Sequence, residues 1–208
     1  MTLVSTDWLS DNLNAVKIID ATWHLVKNRN AIEEYNKEHI ENAIFFDLDK
    51  NSNKGKNLPH GHFLPSLKEH EKNISEMGIS NNDRIIIYCY SDLISSCRAW
   101  FQFLYFGHNP KLVSVLNGGM KKWKLEGKKV TNLKAKINPS KYKANENKNM
   151  IKIKSEIDEN IKKNKFTVID ARSRNRFLGL ESEPRPGIKS GSIEGSKSMP
   201  LSKIVNLQ

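Results

Sequence analysis

One short pattern occurs twice in this chain, a domain length apart, and it limits the possible folds more than any other feature. Ile18-Ile19-Asp20-Ala21 is matched by Val168-Ile169-Asp170-Ala171. Glu34-Tyr35 is matched by Arg176-Phe177, and His39-Ile40-Glu41-Asn42-Ala43 by Ser192-Ile193-Glu194-Gly195-Ser196. Asp47-Leu48 falls where Pro200-Leu201 does. The offset is about 150 residues, an ordinary domain length, so the pattern reads as a duplicated unit.

Short apolar runs alternating with helical periodicity fill the first copy. Ser5 is placed to cap a helix running to about Leu13, with Trp8, Leu9 and Leu13 on one face. Val16 to Ile19 predicts a strand, Glu33 to Ile40 a short helix, and Ala43 to Phe46 a second strand. Leu67 to Met77 predicts a helix closed by Gly78. Ile85-Ile86-Ile87-Tyr88 is continuously apolar and rich in β-branched residues, as a parallel strand buried on both faces requires. A helix from Ser95 to Phe106, a strand from Leu112 to Leu116 and a Gly118-Gly119 turn into the helix of Trp123 complete the series. Strands alternating with helices predict an α/β fold with a central parallel sheet flanked by helices. The expected division is one domain over 1–130, a lysine- and asparagine-rich linker over 131–152, and an incomplete second domain over 153–208. That second part opens with a helix from Ile153 to Ile161 and a strand from Phe166 to Ile169.

Composition excludes several classes. No apolar run approaches the roughly 18 residues that span a bilayer, and residues 1–8 lack a basic segment followed by an apolar one. Two cysteines do not make a disulfide scaffold. A cytoplasmic monomer without a membrane partner is expected. The formal charge of +11 comes from lysines spread widely among asparagines, with no arginine–aromatic stripe and no helix-turn-helix pattern. It reads as a solvated surface that attracts small anions, not as a nucleic-acid interface.

The chemistry concentrates after the strand at 166–169. That strand delivers Asp170 and Arg172 to its end, and the following loop carries Arg174, Arg176 and Arg185. Three arginines on one loop repel each other unless an anion sits among them, and a guanidinium fork grips oxyanions bidentately. The competing reading pairs some arginines with Asp170, Glu181 and Glu183, and it is expected to hold for Arg172. His60 and His62 have a spacing that could ligate metal, but no Cys or carboxylate cluster accompanies them. They read as loop histidines that pack or hydrogen-bond, and no metal is expected. Cys89 stands between the 85–88 strand and the next helix. It is either a low-pKa thiol at a helix N-terminus or a small buried residue. Its loop lacks a glycine to let amides converge. Cys97 is expected in the core.

The chain resembles the two-domain rhodanese family, the thiosulfate and 3-mercaptopyruvate sulfurtransferases. The resemblance runs from about Val4 to the last residue. It is carried by Asp-Ala-Arg at 170–172, Arg176-Phe177-Leu178-Gly179, Glu183-Pro184-Arg185-Pro186-Gly187, Ala43-Ile44-Phe45-Phe46-Asp47, Leu58-Pro59-His60, Arg98-Ala99-Trp100 and Asn117-Gly118-Gly119-Met120-Lys121-Lys122-Trp123. It implies a cysteine nucleophile in the second domain, beyond Pro200-Leu201. Residues 1–208 are therefore expected to be a C-terminally truncated, inactive part of a longer enzyme. It implies that Arg176 binds the substrate anion, that Arg185 is the second arginine typical of the mercaptopyruvate branch, and that Asp170 and Arg172 support them. It implies a small anionic sulfur donor, a thiol or cyanide acceptor, and no cofactor. The family commonly places Asp where this chain has Cys89, in a catalytically silent domain. The alternatives are a non-catalytic rhodanese-like binding or regulatory module, or activity at Cys89. Eight residues separate Cys89 from Arg98, too many for the Cys-x5-Arg loop of phosphatases on the same fold.

Overall fold

Four-residue runs of apolar and β-branched side chains are too short for stable helices, and here they form a parallel sheet. The structure is a computed structural model that describes residues 2–25, 28–53, 62–91, 94–184 and 187–205. The chain divides into two compact units, residues 1–148 and 149–208.

The first unit runs β1 (Leu3–Val4), α1 (Thr6–Asp11), β2 (Lys17–Asp20), α2 (Ala31–Lys37), β3 (His39–Ile40), β4 (Ala43–Phe45), α3 (Leu67–Glu76), β5 (Ile85–Tyr88), α4 (Ser95–Tyr105), β6 (Val113–Leu116), α5 (Gly119–Leu125) and β7 (Val130–Thr131). Five strands pair in the order β1-β6-β5-β2-β4, every pair parallel. Within β5, Ile85, Ile86, Ile87 and Tyr88 are all fully buried, which is why this strand shows no polar alternation. Val4, Leu9, Ile18, Ile86, Leu116 and Trp123 form one core group joining four strands to α1 and α5. Phe103 of α4 lies 6.0 Å from Phe46, and His70 of α3 stacks on Phe106 at 4.0 Å. The Ser5 hydroxyl accepts from the Trp8 N–H at 3.1 Å, and Ser66 with Glu69 forms a capping box on α3.

Two expectations change here. The helix expected over 33–40 ends at Lys37, because Glu38 turns extended and His39–Ile40 pairs antiparallel with Val130–Thr131. The partner lies in the lysine-rich stretch, where no local signal announces a two-residue strand. That stretch, read as a free linker, instead runs back over the first unit as a strap. Ser140 N–H donates to Ser75 O at 2.9 Å, Asn81 and Lys143 exchange two hydrogen bonds, and Asn145 N–H donates to Phe106 O at 3.0 Å. Tyr142 and Ala144 are buried, while Lys141 and Lys143 between and beside them are exposed. Alternation at period two shows an extended chain with one face on the domain.

The second unit holds α6 (Lys154–Lys163), β8 (Ile169–Asp170), α7 (Arg174–Phe177) and β9 (Lys197–Ser198), with β8 and β9 parallel. The strand expected over 166–169 is shifted forward. The Asn160 side chain clips the Phe166 backbone, donating to its carbonyl at 2.8 Å and accepting from its N–H at 2.9 Å, so Phe166 is not free to pair with a strand. Asp20 stands opposite Phe45 in the first unit, and Asp170 opposite Ser198 in the second. These are equivalent places in the repeated pattern. Both aspartates accept the N–H two residues on, from Thr22 and Arg172, each at 2.9 Å.

Candidate functional site

Side chains placed just beyond the C-terminal ends of parallel strands are the ones an α/β fold offers to ligands. In the second unit β8 ends at Asp170, and the chain then folds so that Arg172, Arg176 and Glu183 meet. Arg172 directs Nε at both Asp170 oxygens (3.0 and 3.1 Å), Nη1 at Glu183 Oε1 (2.6 Å) and Nη2 at the Gly191 carbonyl (2.7 Å). Arg176 holds the same carboxylate, with Nε 3.1 Å from Glu183 Oε1 and Nη2 on Oε2. The Glu183 side chain is 4% exposed. Its pKa is held down by the Arg176 contact, then by Arg172, and that of Asp170 by Arg172. The Arg172 guanidinium is held more firmly protonated, chiefly by Asp170.

Pairing was expected for Arg172 and is found for Arg176 as well, so Arg176 is not a bare cation. Glu183 orients it through one edge of the fork. Among the described residues the other edge, Nη1, makes no hydrogen bond, and the side chain keeps 26% exposure. Arg174 is exposed, and Arg185 lies outside the described residues. Glu183 was legible only as one possible counter-charge; its bridging role depends on how the 178–191 loop returns.

Cys89 follows β5 directly and is 8% exposed. Its thiol donates to Ser96 Oγ at 3.3 Å. Among the described residues three amides of this loop and the start of the next helix are already committed: Tyr90 N–H on Thr22 Oγ1 at 2.9 Å, Ile94 N–H on Ser91 O at 3.4 Å and Cys97 N–H on Ile94 O at 3.0 Å. Ile94, a β-branched residue, is in the left-handed region at φ 50° where an anion-cradling loop would place glycine. Among the described residues no set of amides converges on the sulfur. Cys97 is exposed, not in the core, because α4 presents Ala99, Gln102 and Phe103 inward instead.

The sequence left a further group unrecognised at the same end of the first unit. His62 Nε2 lies 3.2 Å from Asp49 Oδ1, and Trp23 Nε1 donates to Asp49 Oδ2 at 3.3 Å. The Trp23 and His62 rings meet edge to face, 4.6 Å apart at 87°. Trp23 follows β2 and Asp49 follows β4, so the sheet order itself brings them together. His62 hydrogen-bonds, as expected of a loop histidine, but its partner is a carboxylate, which fixes the orientation of the ring. The isolated X-His spacing gave no hint of Asp49. His60 lies outside the described residues.

A cleft of about 440 Å³ beside Asp20, Arg29, Glu34, Tyr90 and Lys124 is occupied electrostatically by its own walls. Arg29 grips Glu34 at 2.7 and 2.9 Å, and Lys124 pairs with Glu38. Among the described residues no three His, Cys, Asp or Glu side chains are placed to hold a metal ion. Nor is any described helix long and apolar enough to cross a membrane.

Residues 5–126 match the family model of the rhodanese-like domain. Bovine thiosulfate sulfurtransferase is 35% identical over 96% of this chain and 69% of its own length. Human 3-mercaptopyruvate sulfurtransferase is 33% identical over 98% of this chain and 70% of its own. The crystal structure of Escherichia coli SseA, a 3-mercaptopyruvate sulfotransferase of the rhodanese fold, superposes with a TM-score of 0.87 at 26% identity, covering 99% of this chain and 78% of its own. Yeast Tum1 superposes with a TM-score of 0.85 at 27% identity, covering 99% and 72%. Sequence and backbone agree over nearly the whole length, and the chain belongs to the rhodanese family of sulfurtransferases.

Proposed function

We propose that this protein moves sulfane sulfur from a small anionic donor, 3-mercaptopyruvate or thiosulfate, to a thiol or cyanide acceptor through a cysteine persulfide. In this reading residues 1–208 supply donor binding. A thiolate attacks the donor's outer sulfur and a new S–S bond forms. The C–S bond of 3-mercaptopyruvate or the S–S bond of thiosulfate breaks, and its electron pair leaves on pyruvate enolate or sulfite. A thiophile then takes the outer sulfur and regenerates the thiolate.

The observation that carries the reading is Arg176. Glu183 locks one edge of its guanidinium, Nη1 has no hydrogen bond among the described residues and the side chain is partly exposed, which suits a preoriented contact to a donor oxyanion. Arg185, two residues after Glu183 in sequence, is the group that the family resemblance assigns to the carboxylate that only 3-mercaptopyruvate carries. The enolate leaving group requires a proton and sulfite does not. The test is steady-state kinetics with both donors on the natural protein that contains residues 1–208. Arg176→Ala is expected to lower kcat/KM for both, and undiminished turnover of both would overturn the reading.

A further inference from the structure

Among the described residues of the first unit, Leu125 and Leu133 are the most exposed large apolar side chains, at 77% and 75%. Single exposed leucines are ordinary, but these two lie on one edge of the unit. Lys124, beside Leu125, pairs with Glu38, and the Leu133 carbonyl lies 3.1 Å from Nε2 of His39. The dipeptide Glu38-His39 thus ties the chain on both sides of the turn to the place where α2 ends and β3 begins. The turn itself passes through Gly127, at φ 67°, where an added Cβ would meet nothing within 4 Å, so it stands out into solvent.

The surface around them is basic. No acidic residue falls between Glu126 and Glu146, whereas Lys128, Lys129, Lys134, Lys136, Lys141 and Lys143 all do. Lys122, Lys124 and Lys128 pair with Glu126, Glu38 and Asp7. Lys121, Lys129, Lys134 and Lys136 are exposed and have no carboxylate partner among the described residues. Uncompensated like charges on one ordered surface repel, and an anionic partner relieves that repulsion.

Composition selects the class of partner. Protein interfaces draw on Trp, Tyr and Arg and are poor in Lys, and residues 124–137 contain no aromatic residue and no arginine. Single-stranded nucleic acid needs rings to stack on, which are missing for the same reason. An anionic lipid surface needs apolar side chains to enter the headgroup region and lysines to meet the phosphates, and both are present. The expectation of no membrane partner rests on spanning segments, which a peripheral contact does not require. We infer that the turn from α5 into the strap is a peripheral docking surface for an anionic phospholipid membrane. Leu125 and Leu133 enter the headgroup layer, and Lys121, Lys129, Lys134 and Lys136 meet the lipid phosphates. This inference does not depend on the sulfur-transfer reading.

The experiment is co-sedimentation of the natural protein that contains residues 1–208 with two kinds of vesicle, phosphatidylcholine alone and phosphatidylcholine with about 30% phosphatidylserine, at low and at physiological salt. Binding to the anionic vesicles only, weakened by salt, is expected. Leu125→Ser with Leu133→Ser, and separately Lys129→Gln with Lys134→Gln, are each expected to raise the lipid concentration for half binding about tenfold or more. Lys68→Gln with Lys72→Gln on α3 removes the same charge elsewhere and is expected to change it less than about twofold. An equal loss in that α3 pair would show that net charge alone binds, and would overturn the site. No binding to either vesicle, equal binding to both, or binding indifferent to the leucines would overturn the lipid surface. Polyglutamate or a polynucleotide held by the same lysines, with no effect of the leucine pair, would assign the surface to that class and overturn it as well. Both leucines and both lysines are exposed, so the variants are expected to fold. Should the double leucine variant not fold, Leu125→Ser alone carries the comparison.

Discussion

Arg176 and Glu183 share a two-pronged contact in which the carboxylate is nearly buried and the arginine is not. The carboxylate also takes a third hydrogen bond from Arg172, so one acid fixes two guanidinium planes. Losing a charge-assisted contact to a donor anion costs about 1.5–3 kcal/mol, roughly ten- to a hundredfold in kcat/KM. Arg176→Ala should show that loss for thiosulfate and for 3-mercaptopyruvate. Arg176→Lys should not restore it, because an ammonium cannot hold Glu183 with one edge and an anion with the other. Arg185→Ala should impair 3-mercaptopyruvate more than thiosulfate; equal losses would remove the carboxylate role.

Cys89→Ser should leave sulfur transfer within about twofold of the parent. The thiol is buried and already donates to Ser96, a contact that a serine hydroxyl reproduces. Sulfide or pyruvate release abolished by this substitution would make Cys89 the nucleophile.

His70 sets a pH dependence of stability. It is fully buried among Phe103, Phe106 and Tyr142, and burial drives its pKa from 6.5 down to about 3. Nδ1 accepts from Gln102 at 3.3 Å, and among the described residues Nε2 has no partner. The folded pKa lies below the unfolded one, so the unfolded chain binds the proton first. This contribution is complete above pH 6.5 and is lost as pH falls from there towards 3, at up to about 1.4 kcal/mol per pH unit. Asp20, whose carboxyl is pushed up by burial, has the opposite sign and partly offsets the loss at the acid end. Urea unfolding of His70→Phe between pH 7 and 5 should show a flatter stability curve than the parent; an equal slope would remove His70 as the cause.

The strap over the first unit is tested at a glycine. Gly107 has φ 82°, and a Cβ there would meet the Asn145 carbonyl oxygen at 2.7 Å. Gly127 has φ 67° with nothing within 4 Å. Gly127→Ala should cost only the left-handed backbone, about 1–2 kcal/mol, and Gly107→Ala measurably more, because the strap must move. Equal falls in Tm would mean that residues 141–147 do not press on the domain.

The sequence by itself determined the α/β class and the interior strands. Those depend on local chemistry: a β-branched run such as Ile85–Tyr88 favours a buried strand, and Ser5 is placed to cap the helix beginning one residue later. It also brought out Arg176, because an arginine after a strand end is visible without any partner. What only the tertiary structure decided are pairings between distant residues. Glu183 binding two arginines, Asp49 meeting His62, and β7 finding β3 inside a lysine-rich stretch all arise from how loops return. A polar side chain does not name its partner in sequence; hydrogen-bond geometry selects it only after the parallel sheet has set which strand ends are neighbours.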